Sequence, residues 1–510
     1  MRIALLSAAW AIGCSSGATP GGTGGTAGGG KGMGGTTSPG SGGSQPGSGG
    51  GMTTGGSGPL ATGGFGGTAG TATGGASSGG GSSSSGGAPS GGVSGSGGSA
   101  SGGSSGAAGR AAGGGDGGGG HGGGSGAGWS SVFPTFTRHT IATFSSGYSA
   151  CLADIDHDGL LDVVALSSAS AGLVWFKNPS WTKYTITTRA TKLIHMDPHD
   201  VDGDGDVDLS FISDFDMNNT TAGGTISWAE GPADPTVTQD WPLHAIGAIP
   251  TSHRVRWADI DGDGKKELLA LPIFGVGSTG TAHAGAVALT AFTPPADPKT
   301  GKWTAKVVDD KRLEVAHALT VVDWDGDKAA DLLTAANDGV DLFRPGSANA
   351  PFNIGVGKAG TAPDKGSSEA VLGSLGGARF IASIEFWHGT DAVIYTPGSS
   401  MSAAWTRQVI GAGDFEHGHG MAAADLNGDG FDEVIGGGGQ GALTQLIYRY
   451  VPSSRTWDKI SLDKGGVAVS AIDVGDLNGD GAVDIVSIGS TPTNNVVWYQ
   501  NSGGGTARRR

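Results

Sequence analysis

Asp259-Ile260-Asp261-Gly262-Asp263-Gly264-Lys265-Lys266-Glu267 reads D-x-D-x-D-G-x-x-E, and the pattern returns along the chain. Asp154, Asp156, Asp158 and Asp162 repeat it, as do Asp200, Asp202, Asp204 and Asp208. In Asp323, Asp325, Asp327 and Asp331 the glycine position holds Lys328. Two later copies place Asn second: Asp425, Asn427, Asp429 and Glu433, then Asp476, Asn478, Asp480 and Asp484. Oxygen ligands at alternate positions converge on one point, and glycine permits the sharp turn that wraps them round it. Carboxylates so crowded repel one another without a cation. The expectation is Ca2+, about one ion per intact loop. An EF-hand would close with Glu at position twelve between helices; here Ala165 and Ala270 stand there, and the closing acid is at position nine. The short apolar flanks, such as Val163-Val164-Ala165-Leu166, read as strands.

The loops begin at 154, 200, 259, 323, 425 and 476, a recurring interval with one double gap. Such a period predicts an all-β propeller of sheet blades. Aromatic-headed alternating segments at Phe136, Trp181, Trp241, Trp303, Phe352, Trp405 and Trp457 read as outer strands. Segments ending in an aromatic, such as Leu173-Val174-Trp175-Phe176 and Val496-Val497-Trp498-Tyr499, read as third strands. The double gap holds a decayed unit at Ala370–Gly377, where the acids are gone. Seven blades follow, six with loops. The chain starts with an outer strand (136–141) and finishes with three inner ones (about 468–475, 484–489 and 494–500), so its two ends should complete one blade and close the ring.

Composition divides the rest. Of 510 residues 103 are Gly, concentrated before residue 129. Residues 1–14 read as a lipoprotein-type signal segment, 15–128 as a disordered Gly/Ser-rich linker, 129–501 as the propeller and 502–510 as a flexible tail. Met1-Arg2, a short apolar run and Ala11-Ile12-Gly13-Cys14 resemble a bacterial lipobox, which implies lipidation of Cys14 and an exported lipoprotein on the outer membrane or cell surface. A simple secretory signal is the alternative. Cys151, the other cysteine, lies in an apolar run and reads as core. The net charge of −16 argues against nucleic acid as a partner.

The loops, once per blade after a first strand, resemble the FG-GAP and VCBS repeat families over about residues 130 to 501. That resemblance implies a seven-bladed propeller and leaves function open. Ser252 to Gly264 with Glu267 to Pro272 is similar, more loosely, to the propeller part of aldos-2-ulose dehydratases, which implies action on keto-sugars.

One pattern goes beyond scaffold. His253, His317 and His419 each precede a loop by six residues, and His195 precedes one by five, with His199 beside the loop. Tyr148 and Ser470 hold the same offset of six in the first and last blades. These positions open innermost strands, so they should ring the central channel at one end. Histidine is an acid/base near neutral pH and a zinc ligand. His195, His253, His317 and His419 are therefore the candidate catalytic or Zn2+-binding set, against the alternative of channel lining. His139, His244, His283 and His388 read as ordinary outer-strand or loop histidines. The expected function is a calcium-binding, envelope-exposed, monomeric lipoprotein whose axial face binds a glycan or protein. The alternatives are a carbohydrate lyase or dehydratase using the histidines, and a structural surface protein.

Overall fold

A computed structural model describes residues 133–169, 172–279, 285–346, 351–362, 364–400, 403 and 405–503. The signal segment, the linker, Cys14 and His283 lie outside the described residues. Twenty-eight strands form seven four-stranded antiparallel sheets, with no helix among the described residues. The innermost strands are Gly147–Ala153, His195–His199, Ser252–Ala258, Ala318–Val322, Glu369–Leu375, Gly418–Ala424 and Val469–Gly475, one for each of blades 1 to 7. Each lies against the next round the ring, and the last lies against the first. The architecture is the seven-bladed propeller expected from the repeat.

The burial pattern follows from that arrangement. A second strand has neighbours on both faces, so Asp162–Ser167, Asp208–Ser213 and Asp484–Gly489 are buried throughout. An outer strand such as Thr304–Asp309 is largely exposed. Aromatic residues fill the wedge between blades: Trp175, Trp228 and Trp241 are wholly buried. Cys151 is buried, and that burial pushes its thiol well up.

Closure takes the expected form. Phe136–Thr143 pairs antiparallel with Asn495–Asn501, and their sheet is completed by Asp484–Gly489 and Val469–Gly475. In the decayed blade, Glu369–Leu375 and Ala378–Glu385 are joined by Gly376 and Gly377 at φ 61° and 91°, a left-handed pair suited to a tight hairpin. That hairpin leans on the next blade's loop: Asp432 N–H donates to Ser374 O at 2.8 Å, and Ser374 N–H donates to Asp432 Oδ2 at 2.8 Å.

Candidate functional site

Four of the seven innermost strands open with an irregularity that aims one side chain. Gly147 pairs with Ser167 and Ser149 with Leu166, so Tyr148 stands outside the ladder. His253, His419 and Ser470 are skipped in the same way between Ser252/Arg254, Gly418/Gly420 and Val469/Ala471. His317 lies just ahead of its strand, its N–H donating to Ala335 O at 2.8 Å. Such bulges re-aim side chains at sites. Here they gather residues with a common sequence offset.

The cluster is tight. Tyr148 Oη lies 3.0 Å from both His253 Nε2 and His419 Nε2. His253 and His317 have ring centres 4.8 Å apart, and His317 and His419 4.9 Å. His388, read from sequence as an ordinary outer or loop residue, belongs to this cluster instead. Its Nε2 is 3.0 Å from His317 Nε2. It follows the second strand of the decayed blade, in the connection between Ala378–Glu385 and Asp391–Thr396. His417 packs on it at 4.1 Å, and Trp387 stacks on it at 4.7 Å. His139 and His244 do lie on outer strands, stacked on Trp498 and Trp228.

Hydrogen bonds determine where the ring hydrogens sit. His419 Nδ1 is 2.6 Å from Ser470 O, and His317 Nδ1 is 3.0 Å from Ser368 O. A carbonyl only accepts, so both Nδ1 atoms carry hydrogen and both Nε2 atoms present lone pairs to the cluster. Nε2 or Nδ1 atoms of His317, His388 and His419 all fall within 4.8 Å of one another. Three such nitrogens are a donor set suited to a zinc-type ion, with a carbonyl behind His317 and another behind His419. His253 Nδ1 is buried without a hydrogen-bond partner.

Charge surrounds these neutral rings. Arg254 Nη1 is 3.4 Å from His253 Nε2, and Arg254 Nη2 is 3.6 Å from Glu369 Oε1, which is itself 3.0 Å from His317 Nδ1. Deeper in the channel, Arg256 Nη1 is 3.2 Å from His195 Nε2 and 3.1 Å from Asp197 Oδ1. Burial, then the charge of Arg254, holds His253 well below the ordinary imidazole range, and burial, then the neighbouring histidines and last Arg254, does the same to His388. Burial likewise lowers His317 and His419, pushes Tyr148 up and raises Glu369 against the pull of Arg254.

His195 gives a pH test away from the three convergent rings. Burial, then Arg256 and Arg254, holds it well below its usual value. The unfolded chain therefore binds a proton below about pH 6.5 that the folded chain refuses, so stability falls as pH drops. His195→Gln should flatten the acid limb of unfolding free energy by up to about 1.4 kcal/mol per pH unit. Parallel urea-unfolding curves for the two proteins between about pH 6 and 4 would contradict this.

The acidic loops lie at the other end of the innermost strands. Every closing acid accepts the N–H of the loop's second residue: Ile155 to Asp162 at 3.1 Å, Val201 to Asp208 at 2.7 Å, Ile260 to Glu267 at 3.4 Å, Trp324 to Asp331 at 2.9 Å, Leu426 to Glu433 at 2.9 Å and Leu477 to Asp484 at 3.0 Å. The turn glycines have φ between 85° and 96°, and Lys328 is held at 75° in the same left-handed region. Asp154/Asp156/Asp162, Asp200/Asp202/Asp208, Asp259/Asp261/Asp263 and Asp323/Asp325/Asp327 each bring three carboxylate oxygens within 4.8 Å. An all-oxygen set of this kind suits a hard cation such as calcium.

Residues 223–398 match the family described as the β-propeller domain of aldos-2-ulose dehydratase, and residues 154–211 and 425–487 match the FG-GAP-like repeat. Over 234 residues the chain is 30% identical to aldos-2-ulose dehydratase of Phanerodontia chrysosporium, covering 42% of this chain and 25% of that one. The chain thus spans about a quarter of the length of that relative. Similar solved structures include an Agrocybe aegerita lectin recognising non-reducing terminal N-acetylglucosamine, at 13% identity and TM-score 0.41 over 63% of this chain and 81% of that one. Rhamnogalacturonan lyase YesW is 12% identical at TM-score 0.41, over 74% and 73% respectively. The V. cholerae biofilm matrix protein Bap1 is 11% identical at TM-score 0.37, over 71% and 88%.

Proposed function

We propose, for an FG-GAP-repeat β-propeller that is similar over residues 223–398 to the propeller of aldos-2-ulose dehydratase, an elimination of water from a keto-sugar at the histidine face. One observation carries the reading: two imidazoles, His317 and His419, are locked with their Nε2 lone pairs facing a shared space that His388 also enters. A zinc-type ion held by these three rings would polarise the sugar carbonyl. Neutral His253, kept unprotonated by burial and Arg254, is placed to take the proton from carbon beside that carbonyl. Arg254 offsets the negative charge that develops on oxygen, and Glu369 steadies Arg254. The leaving hydroxyl departs as water with a proton from Tyr148, whose phenol stays protonated because burial raises its pKa.

His317→Ala with His388→Ala should abolish dehydration of an aldos-2-ulose, read as loss of the ultraviolet band of the unsaturated carbonyl product, while leaving the far-ultraviolet circular dichroism unchanged. The expected fall in kcat/KM is at least about 1,000-fold. Undiminished turnover in the variant would end this reading.

A second reading is sugar binding without turnover. Half-buried Trp387 supports it, because a partly open indole stacked beside His388 offers apolar ring surface next to polar groups. Saturable sugar binding with no product would favour it. The same proposal takes calcium into the acidic loops, and lipid at Cys14 with display on the cell envelope, from where a monomer would meet glycans or proteins. Metabolic labelling with an alkynyl fatty acid should mark the chain and be lost in Cys14→Ala; equal labelling of both would refute lipidation.

A further inference from the structure

Three of the six acidic loops hold a cation that the protein itself supplies. In blade 1 the Lys177 ammonium pairs with Asp156 and lies 2.6 Å from Asp158 Oδ2. In blade 4 the Arg344 guanidinium pairs with Asp325 and its Nε lies 3.5 Å from Asp331 Oδ1. In blade 2 the arm comes from the neighbour: Lys299, between the third and fourth strands of blade 3, lies 2.7 Å from Asp202 and 2.6 Å from Glu230.

Strand register explains the first two. Val163 faces Phe176 and Leu332 faces Phe343, so one step further Asp162 faces Lys177 and Asp331 faces Arg344. The closing acid and the base thus meet at the edge of the loop. The same step puts neutral Thr293 opposite Glu267 and neutral Gln500 opposite Asp484. Glu433 does face a base, Arg449, but that side chain turns away, 2.9 Å from Asp458 and over the Phe133 ring. Among the described residues, no basic side chain pairs with an acid of the loops starting at Asp259, Asp425 or Asp476.

We propose that the loops are of two kinds. Those starting at Asp259, Asp425 and Asp476 take a calcium ion. Those starting at Asp154, Asp200 and Asp323 are closed by Lys177, Lys299 and Arg344 and take none at moderate calcium. This rests on the reading of the loops as calcium sites and goes beyond it by sorting them. The physical reason is competition for the same oxygens. A calcium ion entering an armed loop must expel a charge-assisted hydrogen bond or sit beside a like charge. In an open loop it meets no competing charge: the donors there are neutral, such as Asn427 Nδ2 on Glu433 Oε1 at 3.0 Å and Asn478 Nδ2 on Asp480 Oδ2 at 2.9 Å, and an amide can turn its oxygen to the ion instead.

Equilibrium dialysis of the full chain against radioactive calcium at about 0.1 mM tests the sorting, because that concentration saturates sites of the micromolar class and not those weakened well beyond it. The expected stoichiometry is about three ions per chain, one for each open loop. Lys177→Gln, Lys299→Gln and Arg344→Gln should each add one ion, and the triple variant should bind about six. Asp156 Oδ1, buried and already without a hydrogen-bond partner, would then be free to ligate in the first loop. Each single variant counts separately, so a folding failure in one leaves the others decisive. Six ions in the unsubstituted chain, or no gain in any folded variant, would overturn the sorting while leaving the calcium reading intact. No calcium in any variant would overturn both.

Discussion

A chain shortened to begin at Ser145 should fail to form a stable monomer, whereas one beginning at Trp129 should fold. The shortened chain loses Phe136–Thr143, the outer strand of the closing blade. It also loses the register from Phe136↔Asn501 to Thr143↔Asn495, and the clasp of Arg138 onto blade 6 through Asp463 Oδ2 at 3.1 Å and Gly466 O at 3.2 Å. Phe133 and Phe136, which pack on the cluster containing Val497 and Tyr499, go with it. An open edge at Asn495–Asn501 would then be free to pair with another copy. A domain's whole stability is only about 5–15 kcal/mol, and loss of a full strand with its aromatic packing removes a large share of that. Size-exclusion chromatography with thermal unfolding decides the matter. A monodisperse monomer with an unchanged melting temperature would show that the ring does not depend on this closure.

Arg407→Ala should be the most damaging single substitution away from the core, lowering unfolding free energy by about 2–4 kcal/mol. Its partner Glu385 is completely buried. Arg407 Nε lies 3.2 and 3.1 Å from the two carboxylate oxygens, with Nη2 at 2.5 Å from Oε2, and the Tyr395 hydroxyl donates to Oε1. Removing the guanidinium leaves a charged carboxylate in the blade with one phenol for company. The estimate stays below that for a sealed pair because about a third of Arg407 is wetted, 37% by side-chain exposure. The repair is as informative as the damage. Adding Glu385→Gln to Arg407→Ala removes the stranded charge and should recover most of the loss, as read by urea titration. A single-variant loss below about 0.5 kcal/mol would mean that water reaches Glu385 freely.

Blade number, the decayed blade and the closing strand were all legible from the acidic repeat, because a loop at fixed distance from each innermost strand acts as a ruler. The same ruler found His253, His317 and His419, and it found Tyr148 and Ser470. It failed where the loop is missing. Glu369 and His388 come from blade 5, which has no acids to measure from, so His388 read as an ordinary surface residue. Ser368 marks the blade's ring position all the same, since its carbonyl receives His317 as that of Ser470 receives His419. A closer comparison of the blades could have placed Glu369 beside it. The bulges left no mark in residue type, since Tyr148, His253, His419 and Ser470 share nothing but position. Nor did the sequence announce the three cationic arms, which depend on cross-strand register and, for Lys299, on a neighbouring blade.

The bulged residue at the head of the innermost strand is a place where change is cheap. It stands outside the ladder, so its identity hardly affects the pairing on either side. Within this one chain the position already carries a phenol, imidazoles and a hydroxyl, while Ser149, Arg254, Gly420 and Ala471 resume the same register after it. Duplicating a blade would deliver another such position already pointed at the axis. The ring then works as a dial whose settings turn independently: new ligands and new chemistry can be tried one letter at a time, without remodelling a loop or loosening the scaffold.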